Sequence, residues 1–333
     1  MTVMDTALIS NEIKTIKSMF ALGTDIHFVF YQPNFECAFD RAHNFILDME
    51  NKLSVFRPKS LVSKLNRYGS YIPIKVCPEV YNLIKKSLEY SKFSEGYFDI
   101  TIKRLMDLWK EAKQKNQMPS KEEVELALTF SGSENVQLLQ NYKVKLKNKV
   151  KLDFGAIAKG FLADKIREIF EQEGINSAIV DLGGHILTVG KKHDESLWKV
   201  GIRHPFKTRE DVLGFLELGS TSVVTSASYE RYFTIDGKKL SHIINPKTGF
   251  PAKDDIASIT VVDTNSTFAD AMSTALFAMG FKKAINFIQD SKTIEAVVAT
   301  SFREIYITPG LAQKFTLCDS SFRVIKTNEV IVL

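Results

Sequence analysis

Residues 177–190 read SAIVDLGGHILTVG, two apolar runs on either side of Gly183-Gly184. Short runs of aliphatic and β-branched residues closed by glycine are strand signals, and a glycine pair suits a tight hairpin. More such runs follow with no helical spacing between them: WKVGIRH, GFLELG, YERYFTI and KKLSHII. Asp236-Gly237 joins the last two, a strong hairpin turn. ASITVVD comes next, and closing strands are expected near 294–299, 303–308 and 322–327. Strands that succeed one another through hairpins pair antiparallel. Helices grouped between such runs make the chain α+β, with predominantly antiparallel sheets.

Outward from this centre, GTDIHFVFY (23–31) alternates as a strand does, and 36–54 has helical spacing through Phe39, Phe45, Ile46, Met49 and Leu53. A helix opens at Pro78, a favoured first-turn position, and runs to about Lys92. Another is expected from Ala156 to near Gly174, and two more over 267–279 and 281–290. The polar segment KEAKQKNQMPSKEEVE (110–125) reads as a surface excursion leading into a short helix. With no repeat, low-complexity tract or linker, one large domain is expected over 15–327, after a flexible segment 1–14.

The 333 residues, 44% hydrophobic and 25% charged, allow a sizeable core, and no apolar run approaches the ~18 residues of a membrane span. The first twenty residues lack the basic start and apolar centre of a secretion signal, and no cysteine is present there for a lipid anchor. Cys37, Cys77 and Cys318 form neither a disulfide framework nor a metal spacing, which fits a reducing compartment and a cytoplasmic protein. The net charge of +5 suits an anionic small molecule. A nucleic-acid partner is not expected, since no basic cluster with interleaved aromatics occurs.

Four places carry chemistry. In KLDFGAIAKGFLADKI (151–166), Leu162, Ile166 and Phe170 form one helical stripe with Lys159 at its top, where an ammonium needs an anionic partner. A helix start with a lysine attracts phosphate, although Asp153 as a cap with Lys159 reaching solvent explains the residues equally well. In NSTFADAMSTALFAMG (265–280), Ala269, Met272, Leu276 and Met279 make the buried stripe, while Asp270 and Thr274 share another face. These two are hard oxygen donors suited to Mg²⁺ or Ca²⁺, but Thr267 with Asp270 also resembles a capping box, the stronger reading from those residues alone. His242 lies in a strand ahead of an Asn-Pro-Lys-Thr-Gly turn, as a base or, more commonly, a structural histidine. Asp99-Ile100-Thr101 precedes an apolar run ending at Trp109, and a helix cap is the default reading. Gly183-Gly184 admits either a flat ligand or the hairpin alone.

Taken together and in order, GTDIHFVF, LSVFRPKSLVSKLN, GYFDITIKRLMDLW, LDFGAIAKGFLAD, DLGGHILTVG, TSASYERYF, HIINPKTGFP and ITVV…ADAMSTALFAMG resemble the ApbE-type FAD:protein FMN transferases from about residue 19 to 300. The resemblance implies a T-fold-related α+β domain that binds FAD and Mg²⁺. It also implies transfer of the FMN half of FAD to a threonine or serine hydroxyl of an acceptor flavoprotein through a phosphoester, with AMP released. It places Leu22, Asp99, Ile100, Thr101, Asp153, Lys159 and Ile244 at flavin-binding positions. Metal positions fall on Ala156, through its carbonyl, and on Asp270 and Thr274. Lys159 would then meet the FAD pyrophosphate. The proton acceptor for the incoming hydroxyl is His242 or Asp270, and a metal-bound carboxylate is the poorer base.

Three departures from the family pattern stand out. Leu22 replaces a frequent methionine, Ala227 a glycine whose loss adds strain if φ is positive there, and Asn245 an aspartate near the phosphates. An enzyme that hydrolyses FAD to FMN and AMP, and a non-catalytic FAD-binding module, are the rival readings. A basic α+β domain for another phosphorylated ligand is the blandest. The chain carries no acceptor-like Ser/Thr-Gly-Ala-Ser/Thr segment, so self-flavinylation is not suggested.

Overall fold

The computed structural model describes residues 14–192, 194–208, 210–228, 232–253 and 255–325. The expected flexible segment therefore lies outside the described residues except for Lys14, as do 229–231 of YERYFTI and 326–327 of the last expected strand.

The chain opens with a hairpin of β1 (Thr15–Ala21) and β2 (Thr24–Phe30), then α1 (Glu36–Leu53) and α2 (Leu61–Tyr68). Next come β3 (Ile74–Lys75), α3 (Pro78–Phe93), α4 (Lys103–Lys115), α5 (Lys121–Leu128), β4 (Val136–Leu139) and β5 (Lys143–Leu146). The middle is α6 (Ala158–Gln172), β6 (Ser177–Leu182), β7 (His185–Gly190), β8 (Trp198–Arg203), β9 (Val212–Leu218) and β10 (Thr221–Ala227). It continues through β11 (Tyr232–Ile235), β12 (Lys238–Ser241), β13 (Ile256–Asp263), α7 (Ser266–Met279) and α8 (Phe281–Ser291). The close is β14 (Glu295–Thr300), β15 (Glu304–Ile307), α9 (Pro309–Ala312), β16 (Phe315–Leu317) and β17 (Arg323–Ile325).

The architecture is α+β around a nine-stranded sheet, β1-β2-β6-β7-β10-β13-β14-β15-β17. Its described pairs are antiparallel apart from β15 beside β17. The hairpin at 177–190 forms as its sequence dictates, with Gly183 at φ 64° and Gly184 at φ 91°. Alternation then sorts each strand's side chains by face. Leu187, Val224, Ile259 and Val261 join the core shared with α1, α6 and α7, whereas Ile186, Val223 and Val262 join the core under β8, β9 and β16. A third cluster packs Trp109 and Leu105 of α4 against Ile235 and Ile244.

Leu162, Ile166 and Phe170 are fully buried, so α6 lies on the sheet by the expected stripe. Burying each such side chain contributes roughly 1.5–3 kcal/mol. The helix starts at Ala158, two residues later than the spacing suggested. The polar run at 110–125 is the end of α4 and the start of α5, the latter opened by a Ser120–Glu123 capping box. KKLSHII leaves the sheet early: β12 stops at Ser241, and His242 sits in a bend, not a strand. Among the described residues no helix is long and apolar enough to cross a membrane.

Candidate active site

The site is built where α6 begins. Asn66 of α2 clamps the approach, its Oδ1 accepting from the Leu152 N–H at 2.6 Å and its Nδ2 donating to the Leu152 carbonyl at 2.9 Å. Asp153 N–H then donates to the Ile100 carbonyl at 2.8 Å, which lays the Asp99–Thr101 loop beside this segment. The Asp153 carboxylate does not cap the helix: Oδ1 accepts from Gly155 N–H at 2.8 Å, and Ile157, with no side-chain bond, holds the cap position. Burial pushes the Asp153 carboxyl up, while the Gly155 N–H and the charge of Lys103 pull it back. Phe161 N–H bonds the Ile157 carbonyl at 3.1 Å, and Gly160 N–H turns instead to Asp270 Oδ2 at 2.8 Å. At the third position of α6 that N–H has no acceptor within its own helix. The Ala156 carbonyl thus lies outside the hydrogen-bond ladder of α6.

Asp270 is 5% exposed, on a helix buried almost all round. It does not belong to a capping box with Thr267. Asn265 Oδ1 caps α7 by accepting from Phe268 N–H at 3.0 Å, and Asp164 of α6 accepts from the N–H groups of Ser266 (2.7 Å) and Thr267 (2.9 Å) and from the Thr267 hydroxyl. Asp270 is free of that duty. Burial pushes its carboxyl up, opposed by the positive charge of Lys159 and the Gly160 N–H, and reinforced by Asp164. One turn on, Thr274 Oγ1 is 3.5 Å from Ser226 Oγ of β10, which itself donates to Ser273 Oγ at 3.0 Å. Gly160 makes this approach of α6 to α7 possible, since a Cβ there would fall 2.3 Å from the Ser266 carbonyl oxygen.

The Asp270 carboxylate, the Thr274 hydroxyl one helical turn along and the Ala156 carbonyl are hard-oxygen donors of the kind that Mg²⁺ or Ca²⁺ takes. No group of three His, Cys, Asp or Glu side chains that could hold an ion occurs among the described residues. Substrate oxygens and water would have to complete the shell. Lys159 is partly buried, and among the described residues no carboxylate lies within 4 Å of its ammonium. Its charge nonetheless acts on Asp270 and on His185.

The remaining expected residues divide. Asp99 Oδ1 accepts from both the N–H and the hydroxyl of Thr101 at 2.7 Å, and the Thr101 hydroxyl accepts from Gly132 N–H at 2.7 Å, so the trio folds a loop and does not cap α4. Burial pushes the Asp99 carboxyl up, and the bonds from Thr101 pull it back. Thr101 and Ile100 are buried. Leu22 occupies the β1–β2 turn at φ 56°, with its N–H on Glu50 Oε1 at 3.1 Å. Ile244 packs its side chain into the Trp109 cluster, and Trp109 Nε1 donates to the Gly249 carbonyl at 2.8 Å. His242, two residues before Ile244, belongs to that same bend. Asn245 Nδ2 donates to the Ala278 carbonyl of α7 at 2.9 Å, a bond an aspartate carboxylate cannot make. Ala227 lies in extended β10 opposite Ser258, without strain. A Cβ on Gly183 would run into the Thr24 side chain, so this turn packs closely on the β1–β2 hairpin.

Two grooves flank this centre, and neither is lined by Asp153, Lys159, Asp270 or Thr274. One, of about 820 Å³, runs between the Asn245–Lys253 turn and α8. The other, of about 530 Å³, is basic: Arg67, Lys103, Arg104, Lys149 and Lys151 face one acid, Asp107, which pairs with Lys103. Sequence reasoning missed Gly160, Asp164 and Asn66, whereas Ser226 belongs to the hydroxyl run VTSAS (224–228) that could line a polar pocket or merely fill an edge strand. Gly160 and Asp164 stand four apart in GFLAD, the one legible hint that this helix face meets another backbone closely.

The model of the ApbE family matches residues 22–298. The FAD:protein FMN transferase of Klebsiella pneumoniae (strain 342) is 30% identical over 306 residues, 91% of this chain and 95% of that protein. That of Treponema pallidum (strain Nichols) is 31% identical, covering 86% of this chain and 83% of its own. The crystal structure of the ApbE protein from Thermotoga maritima superposes with a TM-score of 0.82 at 31% identity, over 90% of this chain and 99% of that one. The apo flavinyl transferase ApbE of Pseudomonas stutzeri, at 24% identity, shares the fold with a TM-score of 0.77 over 88% of this chain and 93% of that one.

Proposed function

Because the chain belongs to the ApbE family, we propose that it is an FAD:protein FMN transferase, acting through a domain that spans 15–327. The observation that carries the reading furthest is the bond from Gly160 N–H to Asp270 Oδ2, which brings the helix start that carries Lys159 against the acid on α7. The basic groove beside Lys151 and Lys103 supports an anionic substrate of the size of a dinucleotide.

In the reaction, a threonine or serine hydroxyl of the acceptor flavoprotein attacks the FMN phosphorus of FAD. The new P–O bond forms as the bond to the AMP phosphate breaks, and the hydroxyl proton leaves to a base. Asp270, Thr274 and the Ala156 carbonyl are the residues that would hold Mg²⁺, which when bound would supply neutralisation of charge on the leaving phosphate. Lys159 adds preorganised positive potential on the same phosphates, and the Asp99–Thr101 and Asp153 loops, tied by the Asp153–Ile100 bond, wall the flavin side. Leu22 and Ile244 bound the cleft from the β1–β2 turn and the β12 bend. Positioning provides most of the rate, since no covalent enzyme intermediate is required. His242 takes the proton in preference to Asp270, whose Oδ2 already accepts from Gly160 N–H and whose carboxylate, once bound to metal, is the poorer base. The free thiols of Cys37, Cys77 and Cys318 fit a reducing compartment, so the acceptor is taken to be cytoplasmic or cytoplasmically exposed.

The test is AMP release from FAD with Mg²⁺ and an acceptor protein carrying a known flavinylation segment. AMP matched one for one by covalently yellow acceptor, with both falling at least about a hundredfold in Asp270→Ala, is the expected result. AMP without labelled acceptor would instead make the protein an FAD pyrophosphatase. FAD binding that survives Asp270→Ala, with no AMP from either protein, would make it a binding module.

A further inference from the structure

Among the described residues, His185 stands apart: it is fully buried, and neither Nδ1 nor Nε2 has a hydrogen-bond partner. Leaving a buried polar group unpaired costs about 1–3 kcal/mol. Nothing in the packing asks for that cost. His185 opens β7 on the face that carries Leu187 and Val189, and it stands opposite Val224 of β10, all three in the apolar core. A leucine would suit the place.

Its location gives the reason. Two residues along β10 from Val224, on the same face, is Ser226, the residue whose hydroxyl lies 3.5 Å from Thr274 Oγ1. Such diagonal neighbours in an antiparallel ladder are about 7–8 Å apart. From the helix side, the charge of Lys159 reaches both His185 and Asp270. The unpaired imidazole therefore lies on the sheet one residue pair from Ser226, the point where β10 contacts α7 at Thr274.

We propose that His185 is a positioning residue for Lys159: its imidazole is the buried hydrogen-bond partner that holds the Lys159 ammonium beside Asp270 when the cleft is loaded. Burial and the positive charges of Lys159 and Arg167 keep the ring neutral. A neutral imidazole has one lone-pair nitrogen to accept from an ammonium, directly or through a water, and one N–H left to donate. This assignment rests on Lys159 contacting the substrate phosphates, as in the function proposed above.

The experiment compares the full-length wild type with His185→Leu, His185→Gln, Lys159→Ala and the double variant Lys159→Ala/His185→Leu. Each is measured for AMP release from FAD, FAD affinity by flavin fluorescence, and thermal melting. His185→Leu should melt at or above the wild-type temperature while its turnover drops about tenfold. His185→Gln, which keeps an acceptor, should regain most of that loss and serves if the leucine variant does not fold. The double variant should fall no further than Lys159→Ala alone. Early melting of His185→Leu with unchanged turnover, or multiplicative losses in the double variant, would overturn the proposal. If the wild type releases no AMP, the function proposed above fails instead. The same cycle is then read in FAD affinity, where non-additivity upholds the role of His185 and additivity sinks it.

Discussion

At the scale of single residues, the centre of the molecule turns on Gly160. A helical glycine replaced by alanine normally gains up to about 1 kcal/mol in propensity. Here the added Cβ would sit 2.3 Å from the Ser266 carbonyl oxygen and 2.7 Å from Asp270 Cβ, both on rigid backbone-bound atoms. Overpacking of that kind costs about 1–3 kcal/mol and wins. Gly160→Ala is expected to lower the urea midpoint of unfolding and to abolish Asp270-dependent AMP release. An unchanged midpoint would mean that α6 and α7 separate without penalty. Residue-level chemistry was only half legible in the chain. Lys159 was misplaced on its stripe, and that oddity pointed to the helix start where Gly160 meets Asp270. By contrast, Asp153, Asp99 and Asp270 each looked like helix caps, because an acid near a helix start reads the same whether it bonds its own helix, a loop or another helix. The role of Asn245 was invisible, since its partner Ala278 is 33 residues away.

At the scale of elements, α7 is the informative case. Its sequence suggests one apolar stripe, yet the helix is buried on nearly every side between the sheet and α6. Small residues such as Ala269, Ala271, Ser273 and Ala275 permit that, and they carry little hydrophobic signal of their own. Its N-terminus is closed from outside by Asp164 as well as locally by Asn265. Asp164→Ala removes the acceptor for two helix N–H groups and a hydroxyl, and should cost about 1–2 kcal/mol by chemical denaturation. Asn265→Ala should cost about 1 kcal/mol by the same measurement. Equal effects of the two would argue that the cross-helix cap adds nothing beyond the local one. The strands with hairpin turns and the longer helices were legible from periodicity. The short β3, β4 and β5 and the eight-residue α2 were not, because so few residues cannot establish a period.

For the molecule as a whole, the layered α+β arrangement was readable because consecutive hairpin-linked strands leave few topologies. What the sequence could not supply was which helix lies over which strand, and the site depends on that. The burial of neutral histidine gives a global signature in pH. The fold holds His185 well below the ordinary histidine range, and His204 is also lowered, burial being the larger cause in both. As pH falls through about 6.5, the unfolded chain takes up protons that the folded chain refuses, so stability decreases toward acid. Buried acids with raised values, among them Asp99, Asp153 and Asp270, act in the opposite direction at lower pH. Comparing wild type with His185→Leu cancels the acids. Between pH 7.5 and 5.5 the variant should lose about 1 kcal/mol less than wild type in urea titrations. Parallel losses would mean that His185 is protonated in the folded protein.

The bond between Gly160 and Asp270 spans 110 residues, and everything from β6 to β13 lies in the loop it closes. Contacts of such long range form slowly, after the entropy of closing the intervening chain has been met. The oxygen set cannot exist in a partly folded chain that has its hairpins but has not yet docked α7 on α6. A ligand that needs both helices therefore binds only the finished molecule, and by mass action it stabilises that state alone. Loading with metal and flavin would then act chiefly on how fast the protein comes apart, and hardly on how fast it assembles.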